Sequence, residues 1–213
     1  SGKKIIVTAG GTLIPIDDVR VIANRASGKM GKEIAESAHM RGAEVVLLRA
    51  KNAVSARVDV VQEEFETPDQ LYELIKKHAP GADSIFHTAA VSDFAPKEKF
   101  NGKLSSDASH TLELVPQYKI IDSLKKINPK LNVVAFKAVV GKSDKEMIKV
   151  AEEKLHHHTI DVVVVNDVGR SDRGFMVDTN EVIIVQRNSK PVTIPLASKR
   201  EIAEKILETI FLT

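Results

Sequence analysis

Five short apolar runs punctuate the chain, at 5–8, 45–48, 84–87, 133–136 and 160–165. Their near-continuous Val and Ile content predicts strands covered on both faces, as in a parallel sheet. Between them lie stretches of helical character. A helix is predicted over 31–41, ended by Gly42, and another over 68–78 with Thr67 as N-cap. A third covers 143–156, where Ser143 and Glu146 have capping-box spacing, and a last one covers 199–211. This alternation predicts an α/β fold with a doubly wound, mainly parallel sheet. Two segments break it. Residues 94–116 hold Pro96, Asn101-Gly102 and a Ser-rich run before a strand-like stretch at 111–115. Residues 174–195 read as a hairpin, 181–186 and 192–194, about a turn at Asn188-Ser189. They are expected to leave the sheet as a flap and a dimer arm. No repeat or linker divides residues 1–213, which are expected to form one domain.

The junction of the first strand and first helix carries the strongest chemical signal. Gly10-Gly11 ends the strand, and Ser27-Gly28-Lys29-Met30-Gly31 opens the helix. Glycines at that junction suit phosphate, because main-chain N–H groups are free there and the helix dipole favours anions. The competing reading is a plain capped helix start, with Ser27 as cap and glycines for close packing. Gly10-Gly11 favours phosphate. The two glycine clusters are separated by a long insertion with Asp17, Asp18, Arg20 and Asn24. Its apolar Ile14, Ile16, Val19 and Ile22 predict an ordered, functional loop. A dinucleotide fingerprint would close in six residues and be followed by an acid after the second strand, where this chain has Arg49. No Gly-Lys-Ser/Thr follows, so the loop is not a Walker motif.

Other candidates are weaker alone. Thr88 to Asp93 puts small residues and one carboxylate at a strand's carboxyl end, where open α/β sheets bind ligands. Its alternative is a tight turn capped by Asp93. Lys97 to Lys103 is a charge run that reads as a solvated loop or as a flap delivering an ammonium to an anion. Val165-Asn166-Asp167, followed by Arg173-Gly174-Phe175, is a turn, a substrate contact or a structural link to the hairpin. His156-His157-His158 points three ways round a helix and makes no metal face.

Composition narrows the class. The 213 residues are 43% hydrophobic and 28% charged with net charge +2, values of a soluble globular protein and not of a general nucleic-acid or membrane binder. Aromatic content is 4%, with no Trp, so base-stacking platforms are not evident. There is no cysteine, which excludes disulfides, thiolate nucleophiles and Cys-ligated zinc, and fits the cytoplasm. No apolar run is long enough to span a membrane. The first strand begins within a few residues, so no signal peptide is expected.

Taken together, the motifs resemble the phosphopantothenoylcysteine synthetase family, Rossmann-like ligases of coenzyme A biosynthesis. The resemblance rests on Thr8, Gly10, Thr12, Asp17 or Asp18, Val19, Arg20, Ile22, Asn24, Ser27, Gly28, Met30 and Gly31. It continues through Ala89-Ala90-Val91-Ser92-Asp93-Phe94, Lys103-Leu104, Asn166-Asp167-Val168 and Gly174-Phe175. It implies a nucleotide-dependent joining of 4′-phosphopantothenate to cysteine through an acyl-nucleotide, with Mg²⁺ assisting and CTP favoured over ATP. It implies catalytic roles for Asn24 and the flap lysine Lys103. Substrate contacts are implied for Arg20, Asn24, Ala89 and Ala90. Nucleotide contacts are implied for Gly10, Gly11, Ser27, Gly28, Met30, Ala89, Asp93, Lys103, Tyr118, Lys119, Ile120, Ile121, Phe136 and Lys154. His158 stands where bacterial members often carry a lysine, and Val139 where the family has a glutamate. A homodimer is expected, and also a flavin-dependent decarboxylase, separate or fused. The rival readings are an NADP-type oxidoreductase, opposed by the interrupted fingerprint and the missing acid after the second strand, and a non-catalytic regulatory homologue, supported by Val139 and opposed by Asn24 and Lys103.

Overall fold

A computed structural model describes residues 2–157 and 159–211. The first half of the chain runs β1 (Lys4–Ala9), β2 (Leu13–Pro15), β3 (Val21–Ala23), α1 (Lys29–Met40), β4 (Glu44–Ala50), β5 (Val61–Phe65), α2 (Pro68–His78) and β6 (Ser84–His87). The second half runs β7 (Phe94–Pro96), β8 (Leu114–Pro116), α3 (Leu124–Ile127), β9 (Asn132–Val139), α4 (Asp144–His157), β10 (Val162–Asp167), β11 (Thr179–Gln186), β12 (Val192–Ser198) and α5 (Lys199–Phe211).

The buried strands send alternate side chains into two cores, which makes three layers. In β1, Ile6 enters one core while Ile5, Val7 and Ala9 enter the other. In β9, Val133, Ala135 and Val139 take the first core and Val134 the second. Helices α2, α3 and α4 close the first core through Leu71, Ile75, Leu124, Met147, Ala151 and Leu155. Helices α1 and α5 close the second through Ile34, Ala35, Ala38, Ile202, Ala203 and Ile206.

One sheet carries the order β12-β11-β10-β9-β6-β1-β4-β5. From β5 to β10 all pairings are parallel; β11 and β12 add antiparallel at one edge. The doubly wound α/β sheet expected from the sequence is therefore present. The hairpin expected at 174–195 is also formed, but it does not leave the sheet: β11 pairs with β10 and continues it. Its Val182, Ile183, Ile184 and Val185 are buried on both faces, so sheet extension stabilises it more than projection into solvent would.

The flap and the insertion each begin as a small ribbon, β7 with β8 and β2 with β3. Strand β5 was not expected. It is an edge strand with polar Gln62, Glu63 and Glu64, so it shows no apolar run. Helix α1 starts two residues before its expected start, because Gly28 takes a left-handed conformation (φ 79°) that lets Lys29 begin the helix. No helix among the described residues is long and apolar enough to cross a membrane.

The Thr67 cap is realised as a full capping box with Gln70. Leu71, one turn on, is fully buried. Thr67→Ala is expected to cost about 1 kcal/mol, and Leu71→Ala about 3 kcal/mol through the cavity it leaves. Urea denaturation of both variants checks the order; an equal cost would mean that α2 is held by its cap and not by its packing.

Candidate functional site

Between β1 and β6 the strand order reverses, and the loops after the two strands part there to open a crevice. One pair of residues bridges them past the strand ends, Gly11 and Ala90. Ala90 N–H donates to the Gly10 carbonyl at 2.8 Å, and Thr12 N–H donates to the Ala90 carbonyl at 3.1 Å. The Asn24 side-chain amide donates to the same carbonyl at 3.0 Å. Asn24 is thus fixed on the crossing while remaining exposed.

Beside the crossing lies a cleft. One side is the start of α1, with Ser27, Gly28, Met30 and Gly31; its floor is Gly10 and 88–90; its far side is Phe136, Ala138 and Asn166. Gly28 offers no side-chain cap, and the first-turn N–H groups of a helix have no partner within it. Gly31 is required by close approach, since a Cβ there would lie 2.6 Å from Thr88 Oγ1. This is an anion-binding geometry. Behind the floor, the Thr8 hydroxyl accepts from Ala89 N–H at 3.1 Å and meets His87 Nδ1 at 3.0 Å. Burial, with the nearby Lys154 charge, pulls the His87 pKa down to about 4, so the imidazole is neutral and serves as a fixed hydrogen-bond partner.

The flap docks on the insertion through main-chain groups. Asp17, 2% exposed, accepts from Val19 N–H at 2.8 Å, from Arg20 N–H at 2.6 Å and from Leu104 N–H at 3.1 Å. The Arg20 guanidinium adds a bond to Asp17 at 2.6 Å and another to the Leu104 carbonyl at 3.3 Å. Burial pushes the Asp17 carboxyl up, but these bonds outweigh it and hold the pKa well below the ordinary carboxylate range. Asp18 exchanges bonds with Gly102 and pairs with Lys99 at 3.0 Å. Lys103, between two docked residues, is exposed and among the described residues makes no hydrogen bond or ion pair.

A second cationic region lies at the same sheet edge on the α4 side. Lys154 is partly buried, and its pKa is lowered by burial and by the charges of Lys137 and Lys119, while Asp93 and Asp122 oppose the shift. The residues expected to contact nucleotide or substrate fall into three groups along this edge. Gly10, Ser27, Gly28, Met30, Ala89, Ala90 and Phe136 line the α1 cleft. Asp93, Lys119 and Lys154 form the α4-side group, and Gly11, Asn24, Arg20 and Lys103 belong to the crossing and the flap. Ile120 and Ile121 point into the core, which leaves only their main chain for a ligand. The Tyr118 hydroxyl is committed to Asp69 at 2.9 Å; burial and this bond push its pKa up to about 12. Val139 is buried in the first core. His158 lies outside the described residues.

Sequence reasoning assigned no individual role to Lys29, Lys137 or Lys199, which stand beside these groups. The one available signal was Lys199 at the first position of a helix, the end that disfavours cations. No three His, Asp or Glu side chains group as metal ligands among the described residues.

The sequence profile of the DNA/pantothenate metabolism flavoprotein C-terminal domain matches residues 1–212. A coenzyme A biosynthesis bifunctional protein CoaBC from Thermococcus kodakarensis is 40% identical over 211 residues, which is 98% of this chain and 51% of the relative. The chain thus spans about half the length of the curated relatives it matches. Among solved structures, a DNA/pantothenate metabolism flavoprotein from Streptococcus pneumoniae superposes with TM-score 0.87 at 27% identity, covering 98% of each chain. The C-terminal domain of a CoaBC protein gives TM-score 0.80 at 30% identity, covering 99% of this chain and 94% of the other.

The Asp17 tie is expected to survive acid and to fail by mutation. Because the folded pKa is lowered from 3.8, the carboxylate's contribution is complete above that value and is lost as pH falls through the folded value. Amide exchange at Leu104 should stay protected at pH 4. In Asp17→Asn, where an amide nitrogen can face the donors, protection should fall about tenfold at pH 7. Unchanged exchange in the variant would mean that other contacts hold the flap.

Proposed function

Because the chain belongs to the family of DNA/pantothenate metabolism flavoprotein C-terminal domains, we propose that it joins 4′-phosphopantothenate to L-cysteine in coenzyme A biosynthesis, with CTP favoured over ATP as the activating nucleotide. The observation that carries the reading is the placement of Asn24 on the Ala90 carbonyl, between an anion cleft and a flap whose exposed Lys103 has no partner among the described residues. Two CoaBC relatives support the pathway by name.

In this reading the substrate carboxylate oxygen attacks the α-phosphorus, and the bond to pyrophosphate breaks. The cysteine amine then attacks the acyl carbon, the bond to the nucleoside monophosphate breaks, and the amine loses a proton as the amide forms. Both partners of the first step are anionic, so the site must supply donors and positive charge. Asn24 donates to the carboxylate without adding charge of its own. Lys103 neutralises the triphosphate when the flap closes, and closure keeps water from the mixed anhydride. The two cationic regions suit two phosphorylated substrates: the α1 cleft for one terminal phosphate, and Lys119, Lys137 and Lys154 for a polyphosphate. Mg²⁺ would come with the triphosphate, whose oxygens supply its ligands and whose charge it offsets.

A homodimer also belongs to this reading. Exposed Val21, Phe94 and Leu114 on the two small ribbons, with Val19 in the turn of the first, offer apolar surface that suits self-association better than the sheet-bound hairpin does. An NADP-type reading has less support. Arg49, the residue placed for a 2′-phosphate, pairs with Glu64 and bonds the Ala53 carbonyl.

Pyrophosphate release is the test, measured with phosphopantothenate, Mg²⁺ and either CTP or ATP, with and without cysteine. Release that requires phosphopantothenate is expected. Asn24→Asp should lower it about 100-fold, by facing the substrate with a second anion. Lys103→Gln should slow overall turnover by a similar factor. No release from folded protein with either nucleotide would leave the regulatory reading in place.

A further inference from the structure

Gly174 and Phe175 form one wall of the α1 cleft; they belong to a segment without regular secondary structure, 168–178, whose main chain at 174–177 is wrapped round two ammonium groups. Lys199 Nζ donates to the carbonyls of Gly174 at 2.7 Å and Val177 at 2.6 Å, and more weakly to Phe175 at 3.4 Å. Lys29 Nζ donates to the Met176 carbonyl at 2.9 Å and to Asp178 Oδ1 at 2.7 Å. The Ser27 hydroxyl donates to the Phe175 carbonyl. Four consecutive carbonyls, 174 to 177, are thus held by three side chains, each of which lines the cleft.

Lys199 is the unusual member. It is 4% exposed. It stands at the first position of α5, where the helix dipole opposes a cation, and a lysine there does nothing for the helix. The helix is already capped by Ser198 and Glu201, which bond each other's main-chain N–H groups. Burial and the charge of Lys29 lower its pKa to about 8, and Asp178 only partly offsets them. A side chain kept at such cost, with its donors spent on one loop, acts through that loop.

We propose that Lys199 is a positioning residue of the anion cleft: by gathering the carbonyls of Gly174 and Val177 it sets Phe175 and the 174–177 wall against the α1 N-terminus, and anion binding in the cleft depends on it. The ammonium does not need to touch the anion. Its neighbours in the adjoining groove are Lys29, Lys32 and Arg57, with Glu33 and Asp178 opposite and Arg200 on its own helix. Lys199 itself is placed to weaken the wall as pH passes about 8. Deprotonation leaves a neutral amine with fewer and weaker donations. It also removes a buried charge, so global stability does not fall on this account.

The inference rests on the cleft being an anion site and not on the ligase reading, and the two fail separately. Inorganic phosphate titrated into the intact chain by calorimetry reads the cleft. Hydrogen exchange of 174–178 without ligand reads the wall. In Lys199→Met, exchange of the wall is expected to rise and phosphate affinity to fall, each about tenfold or more. Lys199→Arg should restore most of both and abolish the loss of affinity that the wild type shows as pH rises through about 8. Wild-type exchange and affinity in Lys199→Met would overturn the proposal. So would phosphate binding that is absent from the wild type, or a fall above pH 8 that persists in Lys199→Arg. If Lys199→Met does not fold, the arginine variant's pH profile decides alone. Absence of pyrophosphate release with these responses intact would count against the ligase reading and leave the wall standing.

Discussion

The crossing of Gly11 and Ala90 is the constraint on which the site depends. A parallel sheet buried on both faces leaves no polar main chain available except at strand ends. At this switch point two such ends diverge, and their orphan groups must find partners. The Ala90 N–H and carbonyl are both used, the carbonyl twice, by Thr12 and Asn24. This ties the insertion after β1 to the loop after β6, and Asn24 is delivered to the surface as a consequence. The same knot places the start of α1 over the floor at Thr88 to Ala90, because Gly31 lets the helix come within contact of Thr88.

Both excursions around the crossing are held by a buried charge that bonds main chain. Asp17 collects three N–H groups, one of them from the flap, and Lys199 collects carbonyls from the 174–177 wall. A counter-ion would neutralise such a charge with little directional demand. Main-chain dipoles solvate it only if the backbone takes one particular path. A loop with no regular structure acquires a fixed shape this way, and the charge is stabilised by the geometry it enforces. Asp17 has its Arg20 partner as well, whereas Lys199 has another cation, Lys29, for a near neighbour, so the wall is the more conditional of the two.

What the sequence made legible follows the same division. Buried parallel strands announce themselves as Val/Ile runs because both faces must be apolar, and the helices through caps such as Thr67 and Ser143. Strand β5 was hidden because an edge needs one apolar face at most. The 174–195 hairpin was recognised as a hairpin, but its partner was not legible, since pairing of β11 with β10 is a long-range choice that local alternation does not encode. The motif residues were found, yet their division between the α1 cleft and the α4 side was not. Sequence places Phe136 and Lys137 next to each other; the pleat puts them on opposite faces of β9. Lys199 carried one local sign, a cation at the wrong end of a helix, and its meaning needed the carbonyls brought from residues 174 and 177.

That division of faces bears on how two anions can be brought together. Phosphates held on one face of the sheet would repel each other at close range, and water would have to screen them. In the proposed reaction, cationic groups on opposite faces, the α1 N-terminus with its first-turn N–H groups and the lysines by α4, let each anion be stabilised by its own donors, and the distance between the two keeps their repulsion small. Only the reacting ends then need to meet, over Ala89 and Ala90, where the sheet is reduced to one bridged pair and Asn24 stands beside it. In the proposed reaction the repulsion between carboxylate and phosphate is thereby confined to the two atoms that form the bond, which is where the flap lysine Lys103, exposed and without a partner among the described residues, can act on it.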